Sequence, residues 1–294
     1  MWPVLFRIGD FEIATFGFMV AIGVFAAYLV GVRRARDAGL PEEGFSNVIV
    51  LSVLFAFVGA KIFHVLVYMG EAPAGSLLLE RSGFILYGGL IFGVLAGLFL
   101  VLRKGWDWRV VADVVAPAIP LGQFFGRIGC FLNGCCYGAV CPGPMGIRFP
   151  RMREEALSES GDVGFQIIGS EPYRHHLDQM LVTIADPFSL PVYPTQILSA
   201  LQGLLTFCLL HFYLSKRTRF RGQLFLLYLI IYSVGRFGVE ALRADPRGAW
   251  PGGLSTSQGI SIAVLAVAVV LWALLKGQKE APDGLTKEHG IHSS

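Results

Sequence analysis

The segment from Gly126 to Gly138 holds the residues of this chain that are best suited to chemistry. Within it, Arg127 lies near the end of an apolar run that starts near Val110. A cation at such a depth in a membrane costs about 2.5 to 3.5 kcal/mol unless an anionic or polar group meets it. Four glycines and Asn133 surround the arginine, allow close backbone approach and supply amide donors and acceptors. The pattern therefore favours a functional site over an arginine that simply extends toward the membrane interface.

A second arginine within an apolar stretch, Arg236, lies four residues after Tyr232 and four residues before Glu240. Residues at this spacing share one face of a helix. A structural ion pair between Arg236 and Glu240 is one interpretation, although a buried pair is weak evidence for stability. Alternatively, Arg127 and Arg236 on separate spans would form a cationic clamp for a phosphate, because a planar guanidinium makes charge-assisted bidentate hydrogen bonds.

Three other ionisable residues inside apolar stretches are Lys61, His64 and Asp113. Asp113 lies fourteen residues before Arg127, about 21 Å along a continuous helix, although the prolines between them could kink that helix. We expect Asp113 to make a contact between helices rather than to act in catalysis. We expect His64 to be a packed, hydrogen-bonded residue rather than a base. Lys61 is expected to meet a lipid headgroup or a carboxylate on another span.

Four of the five cysteines, Cys130, Cys135, Cys136 and Cys141, fall within twelve residues, and Cys208 lies apart. They could be small packing residues, a disulfide such as Cys136 with Cys141, or a metal site. The spacing C-x4-C-C-x4-C is not a standard zinc pattern, and no histidine is nearby in sequence. Packing or a disulfide is therefore favoured, and no metal site is predicted.

The elements that must position these residues follow from the composition. The mean hydropathy is +0.60, and 54% of residues are hydrophobic while 15% are charged. Soluble domains carry about 25% charged residues, so the chain is predicted to be an integral membrane protein. Its net charge of +3 is modest and gives no reason to expect a nucleic-acid partner.

Seven stretches approach the roughly 20 apolar residues that a membrane-spanning helix needs. They are Ile13 to Val32, Phe45 to Met69, Phe84 to Leu102, Val110 to Leu132, Tyr193 to Leu214, Gln223 to Ala241 and Leu254 to Leu275. The third carries Gly88, Gly89, Gly93 and Gly97, a small-residue face that suits close helix packing. The predicted fold class is an all-α membrane protein with seven transmembrane helices.

Basic residues collect in the short loops on one side of a seven-span chain and in its tail. They are Arg33, Arg34, Arg36, Arg103, Lys104, Arg109, Lys216, Arg217, Arg219, Arg221, Lys276, Lys279 and Lys287. The opposite short loops carry Arg81, Arg243 and Arg247. The positive-inside rule then predicts an N-terminus outside and a C-terminus in the cytoplasm. In this interpretation residues 1–276 form the seven-span domain, with a small extracytoplasmic head at about 133–192 and a disordered cytoplasmic tail at 277–294.

The segment from Gly126 to Gly138 resembles the signature G-R-x-G-N-F-x-N-x-E-x-x-G of the phosphatidylglycerol–prolipoprotein diacylglyceryl transferases. Other family motifs occur in family order along the chain. They are Tyr87 to Ile91 (like H-G-G-L-I), Asp113 to Pro117 (like D-x-x-A-P), Tyr193 to Gln196 (like H-P-[ST]-Q), Tyr232 to Arg243 (like Y-x-x-x-R-F-x-x-E-x-x-R) and Ser255 to Gln258 (like S-x-x-Q).

The resemblance implies transfer of a diacylglyceryl group from phosphatidylglycerol to the lipobox cysteine thiol of a prolipoprotein, with release of glycerol phosphate. It implies a location in the bacterial cytoplasmic (inner) membrane, contact with membrane lipid, and no cofactor. The expected catalytic residues are Arg127, Arg236 and Tyr87. The expected substrate-binding residues are Arg127, Asn133, Gly138, Tyr232, Glu240 and Gln196.

The chain also departs from the family pattern at several polar positions. Tyr87 and Tyr193 stand where the family has histidines, Cys130 stands at an asparagine, and Cys135 stands at the acidic position. A tyrosine, with a reference pKa of about 10, is a poor base at neutral pH. Two alternatives therefore stay open: a related membrane enzyme that uses another acceptor or lipid, and a non-catalytic phosphatidylglycerol-binding protein or transporter.

Overall fold

The computed structural model describes residues 2–8, 11–70, 73–79, 83–157, 163–243 and 254–277. The α-helices are α1 (Thr15–Asp37), α2 (Glu42–Tyr68), α3 (Ala74–Leu79), α4 (Leu86–Arg103), α5 (Trp108–Val115), α6 (Ala118–Asn133), α7 (Glu171–Asp178), α8 (Thr195–Cys208), α9 (Gln223–Glu240) and α10 (Thr256–Lys276). The strands are β1 (Val4–Ile8), β2 (Phe11–Ala14), β3 (Arg151–Leu157) and β4 (Val163–Gly169). The predicted disordered tail lies outside the described residues, apart from its first residue.

The described residues contain seven helical segments that are long and apolar enough to cross a membrane, which confirms the predicted spans. These segments are α1, α2, α4, the combined segment of α5 and α6, α8 with its continuation to Arg217, α9 and α10. Many of their large apolar side chains lie on the outer surface of the bundle, including Phe25, Leu66, Leu205 and Leu274. This apolar surface is what a bundle surrounded by lipid requires.

Two short antiparallel hairpins were not predicted from the sequence. Strand β1 pairs with β2 before the first span, and β3 pairs with β4 in the long segment between α6 and α8. The fold is therefore mostly helical rather than purely so. The polar sequence of β3 lacks the alternating apolar residues that would have indicated a strand, and its pairing instead satisfies backbone groups locally.

The fourth span is interrupted at its prolines, since α5 ends at Val115 and α6 begins at Ala118, directly after Pro117. Just before the interruption, the Asp113 carboxylate accepts hydrogen bonds from the backbone N–H groups of Gly222 (2.7 Å) and Phe225 (2.9 Å). These groups belong to the first turn of α9, where the free N–H groups of a helix favour an anion. Asp113 therefore makes the expected contact between helices.

The glycine face of α4 packs against α2, as predicted. A Cβ atom at Gly88 would lie 2.5 Å from the carbonyl oxygen of Gly59, and one at Gly89 would lie 3.0 Å from that of Ala56. Two helices that approach this closely gain van der Waals contact that larger residues would block. In the same region His64 is buried beside the ring of Tyr68, which agrees with a packed histidine.

Lys61 makes a contact that the sequence did not indicate. Its ammonium group lies 5.2 Å from the ring centroid of Phe84, within the range of a cation–π interaction.

Helix ends near the candidate site follow local sequence features. Helix α6 ends at Gly134, whose φ of 75° is the left-handed conformation that glycine adopts readily. Helix α10 begins with a capping box, in which the Gln258 backbone N–H donates a hydrogen bond to Ser255 Oγ at 3.2 Å. These ends set where the chain turns at the rim of the bundle.

Candidate active site

A cavity of about 40 Å³ lies between α6, α8 and α9. Its lining residues are Gln123, Arg127, Ser199, Gln202, Gly203, Thr206, Tyr228, Tyr232 and Arg236. Apart from one glycine, every one of these carries a polar side chain, although all lie within segments that can span a membrane. Polar residues at such a depth are costly unless they have a function or a partner. The cavity is therefore the strongest candidate for a functional site.

The backbones around this cavity approach closely. A Cβ atom at Gly203 of α8 would lie 2.9 Å from the carbonyl oxygen of Pro120 in α6. A Cβ atom at Gly235 of α9 would lie 2.0 Å from the Gln202 side-chain nitrogen. Small residues at both contacts allow polar side chains from different helices to reach one volume.

The two predicted cations, Arg127 and Arg236, meet in this cavity. Arg236 Nη2 lies 2.6 Å from Glu240 Oε2 and donates to Ser257 Oγ at 3.0 Å. Among the described residues, the buried Arg236 Nη1 has no hydrogen-bond partner. Two guanidinium groups thus line a cavity to which the described residues contribute no carboxylate, and the excess positive charge suits an anionic ligand.

Glu240 orients the cation rather than lining the cavity. Its side chain is buried, and its Oε1 accepts a hydrogen bond from Ser255 Oγ at 3.0 Å. Arg243 Nε lies 3.9 Å from Glu240 Oε2 as well. The predicted pair of Arg236 with Glu240 is confirmed, and it coexists with the cationic cavity instead of replacing it.

Two tyrosine and two glutamine side chains form another part of the cavity lining. The rings of Tyr228 and Tyr232 stack at a centroid distance of 5.8 Å. Gln123 Nε2 donates to the Tyr228 hydroxyl at 3.0 Å, and Gln202 Nε2 donates to the Tyr232 carbonyl oxygen at 3.4 Å. These contacts hold hydrogen-bonding groups around the volume between the two arginines.

Two predicted binding residues instead anchor the loop that follows α6. Gln196 is buried, and its Nε2 donates to the Cys135 carbonyl oxygen at 2.8 Å. Gly138 lies between α8 and α9, where a Cβ atom would be 2.6 Å from the Leu242 carbonyl oxygen and 2.6 Å from the Tyr193 Cβ. Both residues therefore fix the position of the loop relative to the cavity.

Tyr87 and Asn133 do not line the cavity. Tyr87 lies in the first turn of α4 and is 57% exposed. Asn133 is the last residue of α6, two turns beyond Arg127, and is half-buried. The structure thus brings together Arg127, Tyr232 and Arg236, and the roles of Tyr87 and Asn133 stay predictions.

Of the two alternatives favoured for the cysteines, the disulfide is wrong, because all five cysteines are free thiols. Cys136 has a φ of 64°, and its thiol lies with those of Cys130 and Cys135 rather than with Cys141. The three sulfur atoms all lie within 4.8 Å of one another. Hydrogen bonds with Cys130 and Cys135, and the guanidinium of Arg243 beside it, lower the pKa of the Cys136 thiol.

Comparison with known proteins places this site in a family. The sequence profile of the prolipoprotein diacylglyceryl transferase family matches residues 3–274. The chain belongs to the prolipoprotein diacylglyceryl transferase family. It is 35% identical over 282 residues to phosphatidylglycerol–prolipoprotein diacylglyceryl transferase 2 of Clostridium perfringens, covering 94% of this chain and 97% of that protein.

Two further relatives carry the same name without the number. The transferase of Clostridium tetani is 31% identical over 283 residues, which cover 95% of this chain and 100% of that protein. The transferase of Staphylococcus carnosus is 29% identical over 246 residues, or 83% of this chain and 79% of that protein. The match to the family extends along nearly the whole chain.

Sequence reasoning missed several residues of the cavity in this diacylglyceryl transferase family member. Gln123 lies one helical turn before Arg127, and Tyr228 lies one turn before Tyr232. The i, i+4 rule that linked Tyr232 to Arg236 would have found both by extension. The sequence contains no such indication for Gln202, because this residue lies on α8 and neither arginine lies on that helix.

Proposed function

We propose that this protein transfers the diacylglyceryl group of phosphatidylglycerol to the lipobox cysteine thiol of prolipoproteins and releases glycerol phosphate. The observation that carries the proposal is the meeting of Arg127 and Arg236 in one buried cavity with an unpartnered guanidinium nitrogen. The names of the relatives supply the reaction. The family match and the seven membrane helices support a membrane enzyme that acts on lipid.

The paired cations suit the chemistry of a phosphodiester headgroup. A phosphate bound between Arg127 and Arg236 would receive charge-assisted bonds, including one from the free Nη1 of Arg236. Negative charge on the phosphate increases as its bond to the diacylglyceryl carbon breaks. Preorganised cations in a site of low dielectric stabilise that developing charge, and they are already in place before the reaction.

An apolar groove next to the cavity suits the acyl chains. It has a volume of about 740 Å³ and lies between α8 and α9. The cavity and the groove share Gln202 and Thr206, and the groove is otherwise lined by residues such as Leu205 and Val234 that face the outer surface of the bundle. We propose that phosphatidylglycerol enters sideways from the bilayer between these helices, with its headgroup in the cavity.

The topology predicted from the basic residues would put the site on the outer side of the cytoplasmic membrane. The end of α6, the start of α8 and the end of α9 all lie at one end of the bundle, where the loop at Gly138 contacts Tyr193 and Leu242. We propose that this end faces outward, where a secreted prolipoprotein would present its cysteine. The segment at about 133–192 would then form the extracytoplasmic head.

The test is the transfer of labelled diacylglyceryl from phosphatidylglycerol to a lipobox peptide by the purified protein. Label on the peptide is expected with the wild type and is expected to disappear with Arg127→Ala. Arg103→Ala is the matched control. Arg103 is an exposed arginine at the end of α4 and does not line the cavity. Retained phosphatidylglycerol binding without any transfer would instead support the non-catalytic lipid-binding alternative.

A cellular experiment separates the proposed reaction from the use of another acceptor. Expression in a bacterium that lacks its own transferase is expected to restore lipoprotein maturation. Failure to do so by a protein that cleaves phosphatidylglycerol in vitro would favour a related enzyme with a different acceptor.

A further inference from the structure

Among the described residues that line the cavity, none is suited to accept the proton of a substrate thiol. In the part of the chain that the structure describes, its lining consists of two arginines, two tyrosines, two glutamines, a serine, a threonine and a glycine. Arginine stays protonated, and tyrosine has a reference pKa of about 10, above the value of about 8.5 for a thiol. The adjacent carboxylate of Glu240 is already engaged by Arg236 and Ser255. Activation of the substrate thiol is thus a step of the proposed reaction that the described lining of the cavity does not supply.

The cluster of three thiols lies directly beyond the cavity. Cys130 is three residues after Arg127 on α6, so the two side chains lie on one face of the helix, about 5 to 6 Å apart at their Cβ atoms. The sulfur atoms of Cys130, Cys135 and Cys136 all lie within 4.8 Å of one another. We call these residues the cysteine cluster.

The end of α6 brings two of these cysteines together. Gly134 adopts the left-handed conformation. Its N–H donates to the Phe131 carbonyl oxygen at 3.2 Å, and the Cys135 N–H donates to the Cys130 carbonyl oxygen at 3.1 Å. This is the Schellman arrangement, in which the residues at the positions of Cys130 and Cys135 characteristically contact each other. The backbone itself thus sets the two thiols side by side.

The third thiol is held by neighbouring elements. Cys136 has a φ of 64°, a conformation that costs a non-glycine residue about 1 to 3 kcal/mol and persists only where its surroundings enforce it. Its carbonyl oxygen accepts from Thr195 Oγ1 at 2.8 Å, and its N–H donates to Glu171 Oε2 at 3.3 Å. Gln196 holds the preceding carbonyl oxygen at 2.8 Å. The loop is therefore fixed at three points with its thiols together.

We propose that the cysteine cluster binds one Zn²⁺ ion through three thiolates, and that the fourth coordination position of the metal receives the thiol of the protein substrate. The inference rests on the proposed transferase function and supplies its missing step. Zinc sites that take part in reactions keep three protein ligands and one open position. A thiol that coordinates such a cation is deprotonated outright.

The geometry and the charge of the cluster fit this ion. Zn–S bonds of about 2.3 Å place tetrahedral sulfur atoms roughly 3.8 Å apart, so the observed separations need to close by about 1 Å at most. Three thiolates leave the zinc complex with one negative charge. The buried guanidinium of Arg243 beside Cys136 and the cation of Arg127 one turn away offset that charge.

The reaction balances without an oxidant or a reductant. The substrate thiol loses its proton on binding to zinc, and its sulfur attacks the diacylglyceryl carbon that carries the phosphate. The S–C bond forms while the C–O bond breaks, and the bonding electron pair leaves on the phosphate oxygen beside Arg127 and Arg236. The thiol proton ends on the glycerol phosphate product.

The metal site is tested with Co²⁺ as a spectroscopic probe on the purified full-length protein in detergent. Wild type is expected to bind one equivalent with a tetrahedral thiolate spectrum, and Cys135→Ser is expected to lose it. Cys208→Ser is the matched control, because Cys208 lies at the far end of α8. A wild type that binds no Co²⁺, or that binds it equally well after Cys135→Ser, would overturn the site.

The role of the open position is tested with the substrate peptide. A lipobox peptide is expected to raise the thiolate-to-cobalt absorption by about a third, since a fourth thiolate joins three. A peptide with serine in place of its cysteine is expected to leave the spectrum unchanged. The same response to both peptides would show that the metal does not bind the substrate thiol.

Transfer assays separate this inference from the proposed function. Removal of metal from the wild type by a chelator is expected to lower transfer by about 100-fold or more, and Zn²⁺ is expected to restore it. Full transfer by the metal-free protein would refute zinc activation and leave the transferase assignment intact. No transfer under any condition would refute the transferase assignment, while the cobalt spectra would still decide on the metal site.

Discussion

Two buried groups of charge in this bundle differ in how completely their hydrogen bonds are made. Asp113 accepts from the N–H groups of Gly222 and Phe225 at the start of α9. Arg34 donates to the carbonyl oxygens of Asp113 and Val114 at 3.3 and 3.1 Å. Each charged side chain in this group makes hydrogen bonds with backbone groups of a neighbouring helix. These bonds connect α1, α5 and α9.

The second group lies between α6, α8 and α9, toward the other end of α9. Arg127 and Arg236 share a cavity with Glu240 as the one adjacent carboxylate among the described residues, and Arg236 Nη1 is left without a hydrogen bond. Buried polar groups are nearly always paired, so an unpaired one needs an explanation. In this bundle, charges with complete hydrogen bonds hold helices together, while the unpaired Arg236 Nη1 leaves a donor for an anionic ligand.

The largest effect is expected from Arg127→Ala. Loss of one preorganised charge at the phosphate should lower the rate of diacylglyceryl transfer by about 100- to 1,000-fold without lowering the thermal stability of the protein. Arg127→Lys should retain part of the rate, because it keeps the charge but not the planar fork. Transfer kinetics and a melting curve in detergent measure both quantities. A variant that melts early but transfers normally would place Arg127 with the structural charges instead.

A smaller loss is expected from Gly235→Ala. The added Cβ atom would lie 2.0 Å from Gln202 Nε2, so the Gln202 amide must shift from its position in the cavity. Misplacement of a positioning group by about 1 Å costs up to about 100-fold in rate. Gly17→Ala in α1 is the control, because a Cβ atom there has no neighbouring atom within 4 Å and the residue lines neither the cavity nor the groove. Equal transfer rates of the two variants would mean that Gln202 takes no part in the site.

Tyr232→Phe is expected to lower the transfer rate by about three- to tenfold. The substitution removes one hydroxyl from the cavity and keeps the ring that stacks on Tyr228. A single hydrogen bond contributes about 0.5 to 1.5 kcal/mol. Tyr213→Phe, at the end of the fifth span remote from the cavity lining, serves as the control. An unchanged rate would assign Tyr232 to packing alone.

The smallest effect on transfer is expected from Asp113→Asn. In contrast to Arg127→Ala, this substitution is expected to lower stability rather than the transfer rate. The rate per folded molecule should stay within about twofold, while the free energy of unfolding falls by about 1 to 3 kcal/mol because two backbone donors lose a charged acceptor. Denaturant titration in mixed micelles and transfer kinetics measure the two effects. A large loss of rate with normal stability would contradict the division between the two groups.

The sequence predicted what depends on local chemistry. The seven spans follow from runs of apolar residues, and the close approach of α2 and α4 follows from the glycines of one helix face. The importance of Arg127 and Arg236 could be inferred from the cost of a buried cation. The pair of Arg236 with Glu240 follows from a spacing of one helical turn.

Only the tertiary structure decided which distant residues meet. Gln202 reaches the cavity because glycines let α8 approach α6 and α9, and hydropathy does not record such contacts. The sequence left packing and a disulfide open as alternatives for the cysteines, because a spacing along the chain does not show where a thiol points. The left-handed backbone of Gly134 and Cys136 turns three sulfur atoms toward one another, and hydrogen bonds from α8 hold that turn. Local sequence thus determined the helices and their charges, while packing between helices determined the site.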